Sequence, residues 1–271
     1  MSAVAAKVEW VRVRVKSFQE NTLFRGSDAL LASRSSHQAR SDNQDIRGSQ
    51  PPHDTREEAG KLEFEKIVDN ICELPWENIS SEDILNVALA YYFFSIQFRE
   101  NLEIACRLFP DDEALKRLHK EECNTDNLSP WEDVAEDGEM LNHDEFMRRL
   151  LLLRPVANAD ALERAGELYL AQIRHIDDKT RAKSIASYED GGLARVFGAM
   201  LRARTWEGAG QLAFKHFLEK HIEFDSPEEG GHGALSRHLM ADDSILPLWS
   251  AFEHILQCAV SVFANADVRK G

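Results

Sequence analysis

From Lys61 onward, apolar residues recur at the three- and four-residue spacing of amphipathic helices. Phe64, Ile67, Val68 and Ile71 form the first such stripe. No convincing strand pattern follows this point, so the sequence predicts an all-α bundle of about seven or eight helices. Apart from this first helix, the predicted helices cover residues 84–108, 110–122, 146–153, 179–204, 207–225 and 244–266, and one more begins at Asp160.

Two of these helix starts carry capping signals. Ser80 to Asp83 precede the longest apolar run, Ile84 to Leu108. Asn142 is followed three residues later by Glu145, which is the spacing of a capping box. The stretch 124–139 before it is acidic and is predicted to be a loop.

Residues 1–60 differ in composition from the rest of the chain. Val8 to Val15 alternates in polarity and predicts a short strand. Residues 25–60 are dense in Ser, Asp, Gln, Arg and Pro, a composition typical of disorder. We therefore predict a poorly ordered N-terminal tail over 1–60 and a helical domain over 61–271.

Charge and cysteine content narrow the function classes. The net charge is −15, from 32 basic and 47 acidic residues, which argues against nucleic acid and anionic membranes as partners. The four cysteines are widely spaced, so neither a disulfide framework nor a zinc ribbon is indicated. No signal peptide and no apolar run of about 18 residues is found, and we expect a cytoplasmic protein.

The helix over 207–225 ends on two polar residues that share its apolar face. Steps of four residues from Ala209 lead through Ala213 and Phe217 to His221 and Asp225. A buried imidazole and a buried carboxylate each need a partner, because an unpaired buried charge is costly. A metal ion is one partner that both could share.

Two further carboxylates lie in line with apolar stripes. Glu122 continues the face of Leu115 and Leu118, and Glu189 stands four residues after Ile185. Both are therefore candidates for buried metal ligands.

Two further histidines have similar positions. His143 begins a helix on the side of Phe146 and Met147, and His232 follows a pair of glycines. Three carboxylates and three imidazoles on different helices are the ligand set that two iron or manganese ions take in a helix bundle.

Each of these residues also has a purely structural interpretation. Asp225 could cap a following helix that begins near Pro227. Glu121 could face inward in place of Glu122, because a one-residue shift moves a helix face by about 100°. Tyr188–Gly192 could be a loop, which would leave Glu189 as a surface charge.

The residues resemble the signature of one family. His221 to Asp225, reading His-Ile-Glu-Phe-Asp, together with Gly231-His232-Gly233, is similar to a motif of haem-oxygenase-like non-haem diiron oxidases and oxygenases. Glu121-Glu122 followed by His143 and Phe146 resembles the family's upstream pair. The resemblance extends from residue 61 to the C-terminus. The segments between Glu122 and His143 and between Asp225 and His232 are longer than is usual in the family.

The resemblance implies a haem-oxygenase-like bundle that holds two non-haem irons, with manganese as the alternative metal. One iron would be bound by Glu122, His143 and His221. The second would be bound by Glu189, Asp225 and His232, with Glu228 as the alternative to His232. No catalytic residue beyond these ligands is implied. The activity would be oxidation of a small organic substrate by O2, with an electron donor, in a chain that could form a homodimer.

Two other functions remain open from the sequence. A metal-free thiaminase-like hydrolase on the same bundle would need a cysteine nucleophile, for which Cys106 and Cys123 are available. A non-catalytic helical binding protein is the third interpretation. The aromatic run Tyr91 to Phe94 with Phe98 could line a substrate pocket, but core packing is the favoured interpretation for most of its members.

Overall fold

In the computed structural model, the described residues are 61–224 and 231–264. They are helical and contain no β-strand, only the isolated bridges between Thr125 and Leu141 and between Trp131 and Ala135. All of them belong to one compact unit that spans residues 53–271. The predicted all-α class is confirmed. The predicted tail over 1–60, including the strand Val8 to Val15, lies outside the described residues.

The helices follow one another along the chain with short connections. In order they are α1 (Glu63–Glu73), α2 (Ser81–Leu108), α3 (Glu113–Cys123), α4 (His143–Leu150), α5 (Ala159–Arg174), α6 (Asp178–Ser187), the kink segment (Tyr188–Gly192), α7 (Leu193–Met200), α8 (Ala209–Phe224), α9 (His232–Ser236), α10 (Leu246–Ala259) and α11 (Ser261–Ala264), with single 3-10 turns at Trp76–Asn78, Arg237–Leu239 and Asp243–Ile245.

The described residues form eleven α-helices rather than seven or eight, because two long periodic segments are interrupted and the short helix α9 lies outside every predicted range. The predicted helix over 179–204 bends at the kink segment, where Asp190 (φ −84°, ψ 48°) and Gly191 (φ 91°, ψ −7°) leave helical geometry. The predicted helix over 244–266 is interrupted at Val260, which is extended. Hydrophobic periodicity continues across a short break, so the pattern alone does not reveal it.

The long helix α2 is the centre of the domain. The capping signal predicted at its start is confirmed, and it is a reciprocal capping box: Ser80 Oγ accepts from the Asp83 N–H, and the Asp83 carboxylate accepts from the Ser80 N–H. It packs against α3, α4, α5, α6, α8 and α10. Most of its aromatic residues are buried in the core, with Phe94 and Phe252 ring centroids 4.3 Å apart, which confirms the core-packing interpretation.

The capping box predicted at the start of α4 is wrong. Asn142 is the N-cap residue by backbone geometry, but its side chain makes no capping hydrogen bond. The Glu145 carboxylate instead accepts from Arg148 and Arg149 at 2.7–2.8 Å. Two guanidinium groups within one helical turn compete successfully with a single backbone N–H for this carboxylate.

The acidic stretch after α3 is a loop, as predicted, and its two ends meet. Backbone hydrogen bonds join Thr125 and Leu141 in both directions, at 2.9 and 3.4 Å. Arg149 holds the middle of the loop by donating to the Val134 carbonyl and the Glu139 carboxylate. The closure places the end of α3 beside the start of α4, although some 20 residues separate them.

No helix within residues 61–224 and 231–264 combines the length and the apolar character that a membrane crossing requires. The four cysteines are free thiols.

Two glycines, one in α5 and one in α7, allow a test of how tightly side chains pack around α2. A Cβ at Gly166 of α5 would overlap the Phe93 ring of α2, whereas a Cβ at Gly198 of α7 would meet nothing within 4 Å. We expect Gly166→Ala to lower the free energy of unfolding by about 1–3 kcal/mol through overpacking. Gly198→Ala should raise it by roughly 0.5–1 kcal/mol, because alanine restricts the unfolded chain and favours helix. Urea denaturation of both variants measures the difference, and equal effects would contradict the packing.

Candidate metal centre

Five of the six residues predicted as ligands lie together in the interior. Glu122 ends α3, His143 begins α4, Glu189 lies in the kink segment, His221 is in the last turn of α8 and His232 begins α9. Each is at most 6% exposed. Five elements thus contribute one polar side chain each to a single buried cluster.

The first trio is Glu122, His143 and His221, whose potential ligand atoms lie within 4.8 Å of one another. His143 Nδ1 is 2.9 Å from Glu122 Oε2 and 3.1 Å from His221 Nε2. Three potential ligand atoms from three helices therefore lie close together.

The orientation of the His221 ring is set by its own helix. Its Nδ1 lies 2.9 Å from the carbonyl of Phe217, which makes Nδ1 the N–H donor and leaves the Nε2 lone pair facing the trio. The Phe217 ring stacks on the imidazole with centroids 4.0 Å apart. Burial, aided by the nearby His143, lowers the pKa of His221 to about 3, so the ring is neutral at physiological pH, as a metal ligand must be.

The second trio is Glu122, Glu189 and His232, again with ligand atoms within 4.8 Å. His232 Nδ1 lies 2.7 Å from Glu122 Oε1 and 3.4 Å from Glu189 Oε2. Glu122 thus turns one oxygen to each trio, Oε2 to the first and Oε1 to the second. A carboxylate placed in this way could contribute one oxygen to each of two metal positions.

The chemistry of the donors fits a metal centre. Both trios consist of carboxylates and imidazoles, the ligands of iron and manganese in helix bundles. Glu122 Oε1 is buried and accepts no hydrogen bond among the described residues, although His232 Nδ1 is so close. A buried acceptor without a hydrogen bond is costly, and a cation between the two atoms would satisfy it.

Two histidines keep the buried Glu122 carboxyl ionised. Burial by itself would raise the pKa of this carboxyl, but His143 and His232 together hold the pKa well below its usual range. The group is therefore an anion in the interior, where an anion requires a cationic or hydrogen-bonding partner.

Neighbouring side chains hold the ligand-bearing elements in place. Arg99 of α2 donates to both carboxylate oxygens of Asp144, the residue after His143. On another side of the cluster, Tyr169 donates to Gln97 and Gln97 to Tyr188, the residue before Glu189. Central helix α2 thus anchors both α4 and the kink segment.

The structure resolves two of the alternatives left open by the sequence. Glu122 faces inward, whereas the Glu121 side chain is 34% exposed and lies 3.4 Å from His232 Nε2, on the outer side of that ring. The surface interpretation of Glu189 is wrong, because Glu189 is 3% exposed. Asp225 and its alternative partner Glu228 lie outside the described residues.

Sequence reasoning missed two features of the cluster. It assigned Glu122 to one metal position, whereas the structure places this residue in both trios. It also treated Glu121 only as a competitor of Glu122, although Glu121 contacts the back of the His232 ring. The adjacent Glu121-Glu122 pair was the available signal, since neighbours on a helix point about 100° apart and can reach opposite sides of a third side chain.

A cleft of about 330 Å³ borders the kink segment. Some of its lining residues are neighbours of cluster residues in the sequence, but the cleft and the cluster share no residue. Asp190, Gly191 and Gly192 line it, together with Phe64 of α1 and Arg237. None of the five cluster residues does.

Comparison with known proteins does not assign the chain to a family. No model of a known protein family matches it, and neither the curated proteins nor the solved structures contain a match. The functional conclusion therefore rests on the cluster itself.

The lowered pKa of His221 predicts how the metal-free protein responds to acid. The unfolded imidazole has a pKa near 6.5, so the unfolded state takes up a proton between about pH 6.5 and 3 that the folded state does not. Folding stability should therefore fall with decreasing pH across this window, by about 1 kcal/mol per pH unit from this residue. Urea denaturation at pH 6.5 and 5 measures the slope.

A matched pair of variants isolates this contribution. His221→Gln should flatten the slope, because the amide does not titrate, whereas His175→Gln at an exposed position should leave it as in the parent. Equal slopes for the parent and His221→Gln would contradict the assignment.

Proposed function

We propose that this protein is a non-haem diiron oxidase or oxygenase. The observation that supports this most directly is the position of Glu122, whose two carboxylate oxygens each belong to a different trio of buried ligand atoms. A single trio would suit one metal ion of many kinds. Two trios joined by a shared carboxylate suit a pair of ions, which is the arrangement of carboxylate-bridged iron or manganese centres in helix bundles.

The donor set favours iron, with manganese as the alternative. Carboxylates are hard ligands that suit oxidised iron, and imidazoles suit iron as well as zinc and copper. Within the two trios there is no thiolate that would favour a softer metal. The chemistry that such a pair of ions supplies is the reductive activation of O2 for oxidation of an organic substrate.

The protein's own residues have separate tasks in this proposal. His143 and His221 would hold the first metal ion and His232 and Glu189 the second, and Glu122 would contribute a carboxylate oxygen to each. Phe217 keeps His221 in the correct tautomer through its carbonyl and covers the ring on one face. Burial of the cluster excludes water, which strengthens each charge interaction inside it.

We further propose that the partners are O2, a small organic substrate and an external electron donor, and that the protein works in the cytoplasm, where free cysteines persist. Asp225 stays in the proposal as a further ligand of the second position. In the sequence it comes directly after Phe224, the last described residue of α8, and four residues after His221.

The hydrolase alternative has little support from its candidate nucleophiles. Burial raises the pKa of Cys106 and raises that of Cys123 further. A raised pKa lowers the fraction of thiolate, which is the nucleophilic form.

Metal loading tests the proposal directly. After anaerobic incubation with ferrous iron and desalting, we expect about two irons per chain by elemental analysis, as two trios require. His221→Ala should weaken iron binding by at least about 10-fold. His175→Ala, which removes an exposed histidine, should bind as the parent does. Well under one iron per chain in the parent would refute the diiron proposal, and parent-like binding by His221→Ala would refute the ligand assignment.

Oxygen consumption separates an oxidase from a non-catalytic binding protein. The ferrous-loaded parent should consume O2 when it is exposed to air-saturated buffer, and Glu122→Gln should consume it much more slowly, because the neutral amide is a poor bridging ligand. An oxygen electrode measures both. If the parent bound two irons but did not consume O2, the result would favour a storage or binding role.

A further inference from the structure

Helix α9 meets the kink segment at unusually short range. Its second residue, Gly233, follows the candidate ligand His232 directly. A Cβ at Gly233 would lie 2.9 Å from the Glu189 carbonyl oxygen and 3.1 Å from Asp190 Cα. Real Cβ atoms do not approach a backbone carbonyl this closely, so only glycine permits the observed contact.

An ion pair joins the kink segment to the 3-10 turn Arg237–Leu239, which directly follows α9. Arg237, four residues after Gly233, donates from Nε to Asp190 Oδ2 at 3.0 Å and from Nη2 to Asp190 Oδ1 at 2.6 Å. Two parallel hydrogen bonds fix the relative orientation of the guanidinium and the carboxylate. Asp190 is the residue after Glu189, and it stands where the chain leaves helical geometry.

Each half of this contact is therefore adjacent to a candidate ligand. On α9, Gly233 is bonded to His232, and on the kink segment, Asp190 is bonded to Glu189. The separation of the two backbones consequently sets the separation of the two ligand side chains. His232 Nδ1 and Glu189 Oε2 are 3.4 Å apart in the structure.

We propose that Gly233 and the Arg237–Asp190 pair form a clasp that positions His232 and Glu189 for the second metal position, which rests on the diiron centre proposed above. Gly233 sets how closely α9 approaches, and the ion pair sets the orientation of the helix on the kink segment. Neither Gly233 nor Arg237 would contact the metals in this role; both are positioning residues.

The clasp predicts an effect on one metal position only. The first trio comes from α3, α4 and α8 and includes no residue of α9 or the kink segment. Enlarging Gly233 should displace His232 from Glu189 and leave the contact between His143 and His221 as it is. A variant that merely destabilises the fold would affect both positions.

The test is ferrous binding by the full chain under anaerobic conditions, followed by calorimetric titration and by elemental analysis after desalting. Gly233→Ala should bind one iron with parent affinity and the second about 10- to 100-fold more weakly. Ala234→Ser adds one heavy atom to the next, exposed residue of the same helix and should bind both irons as the parent does. The double variant Gly233→Ala/His221→Ala should lose the remaining iron, which identifies it as the one in the first trio.

The ion pair is expected to make a smaller contribution, because both partners are partly exposed, with 56% and 41% of their side chains accessible. Arg237→Gln should weaken binding of the second iron by about two- to five-fold, and Arg237→Lys should recover part of that loss of affinity.

The outcomes separate failure of the clasp from failure of the metal centre. A parent with two irons and a Gly233→Ala variant that binds both with parent affinity would overturn the clasp and leave the diiron centre intact. If Gly233→Ala weakened the binding of both irons equally, the clasp would also be overturned, since the effect would then come from the fold as a whole. A parent that binds no iron would overturn the proposed function, and the clasp with it.

Discussion

The buried charge of Glu122 is the constraint on which the rest of the site depends. An anion in the interior is unstable unless charged or hydrogen-bonding groups surround it. His143 faces one oxygen of Glu122 and His232 faces the other, and they come from elements more than 80 residues apart in the chain. The loop closure, the kink and the short helix α9 all serve to bring these partners to a single carboxylate.

The scaffold around this group is built from one central helix. Residues 84–91 of α2 are all buried, and the helix packs against most of the other helices. Two of its polar residues bond to residues that adjoin the cluster or lead to them. Arg99 orients the start of α4 through Asp144, and Gln97 links Tyr169 to Tyr188 ahead of Glu189. A rigid support of this kind is what a metal centre needs, because ligand geometry depends on the residues behind the ligands.

Local irregularity is concentrated where the second trio forms. The kink segment departs from helical geometry directly after Glu189, and α9 is only five residues long. A straight helix over 179–204 would continue the direction of α6 through Glu189 and Asp190. The bend lets the chain present Glu189 inward while Asp190 turns outward to Arg237. Irregular backbone at a site of this type is common in helical proteins, where breaks in the helix often accompany function.

The sequence by itself determined the helical class, the capping box at Ser80 and the candidate polar residues, because these depend on periodicity and on local hydrogen bonding. It also pointed to His221, since four-residue spacing places a polar group at the end of an apolar stripe. Only the tertiary structure decided between Glu121 and Glu122, revealed the shared role of Glu122 and placed Gly233 against the Glu189 carbonyl. Those outcomes depend on how helices far apart in the chain pack together, and periodicity along one helix carries no information about the distance to another.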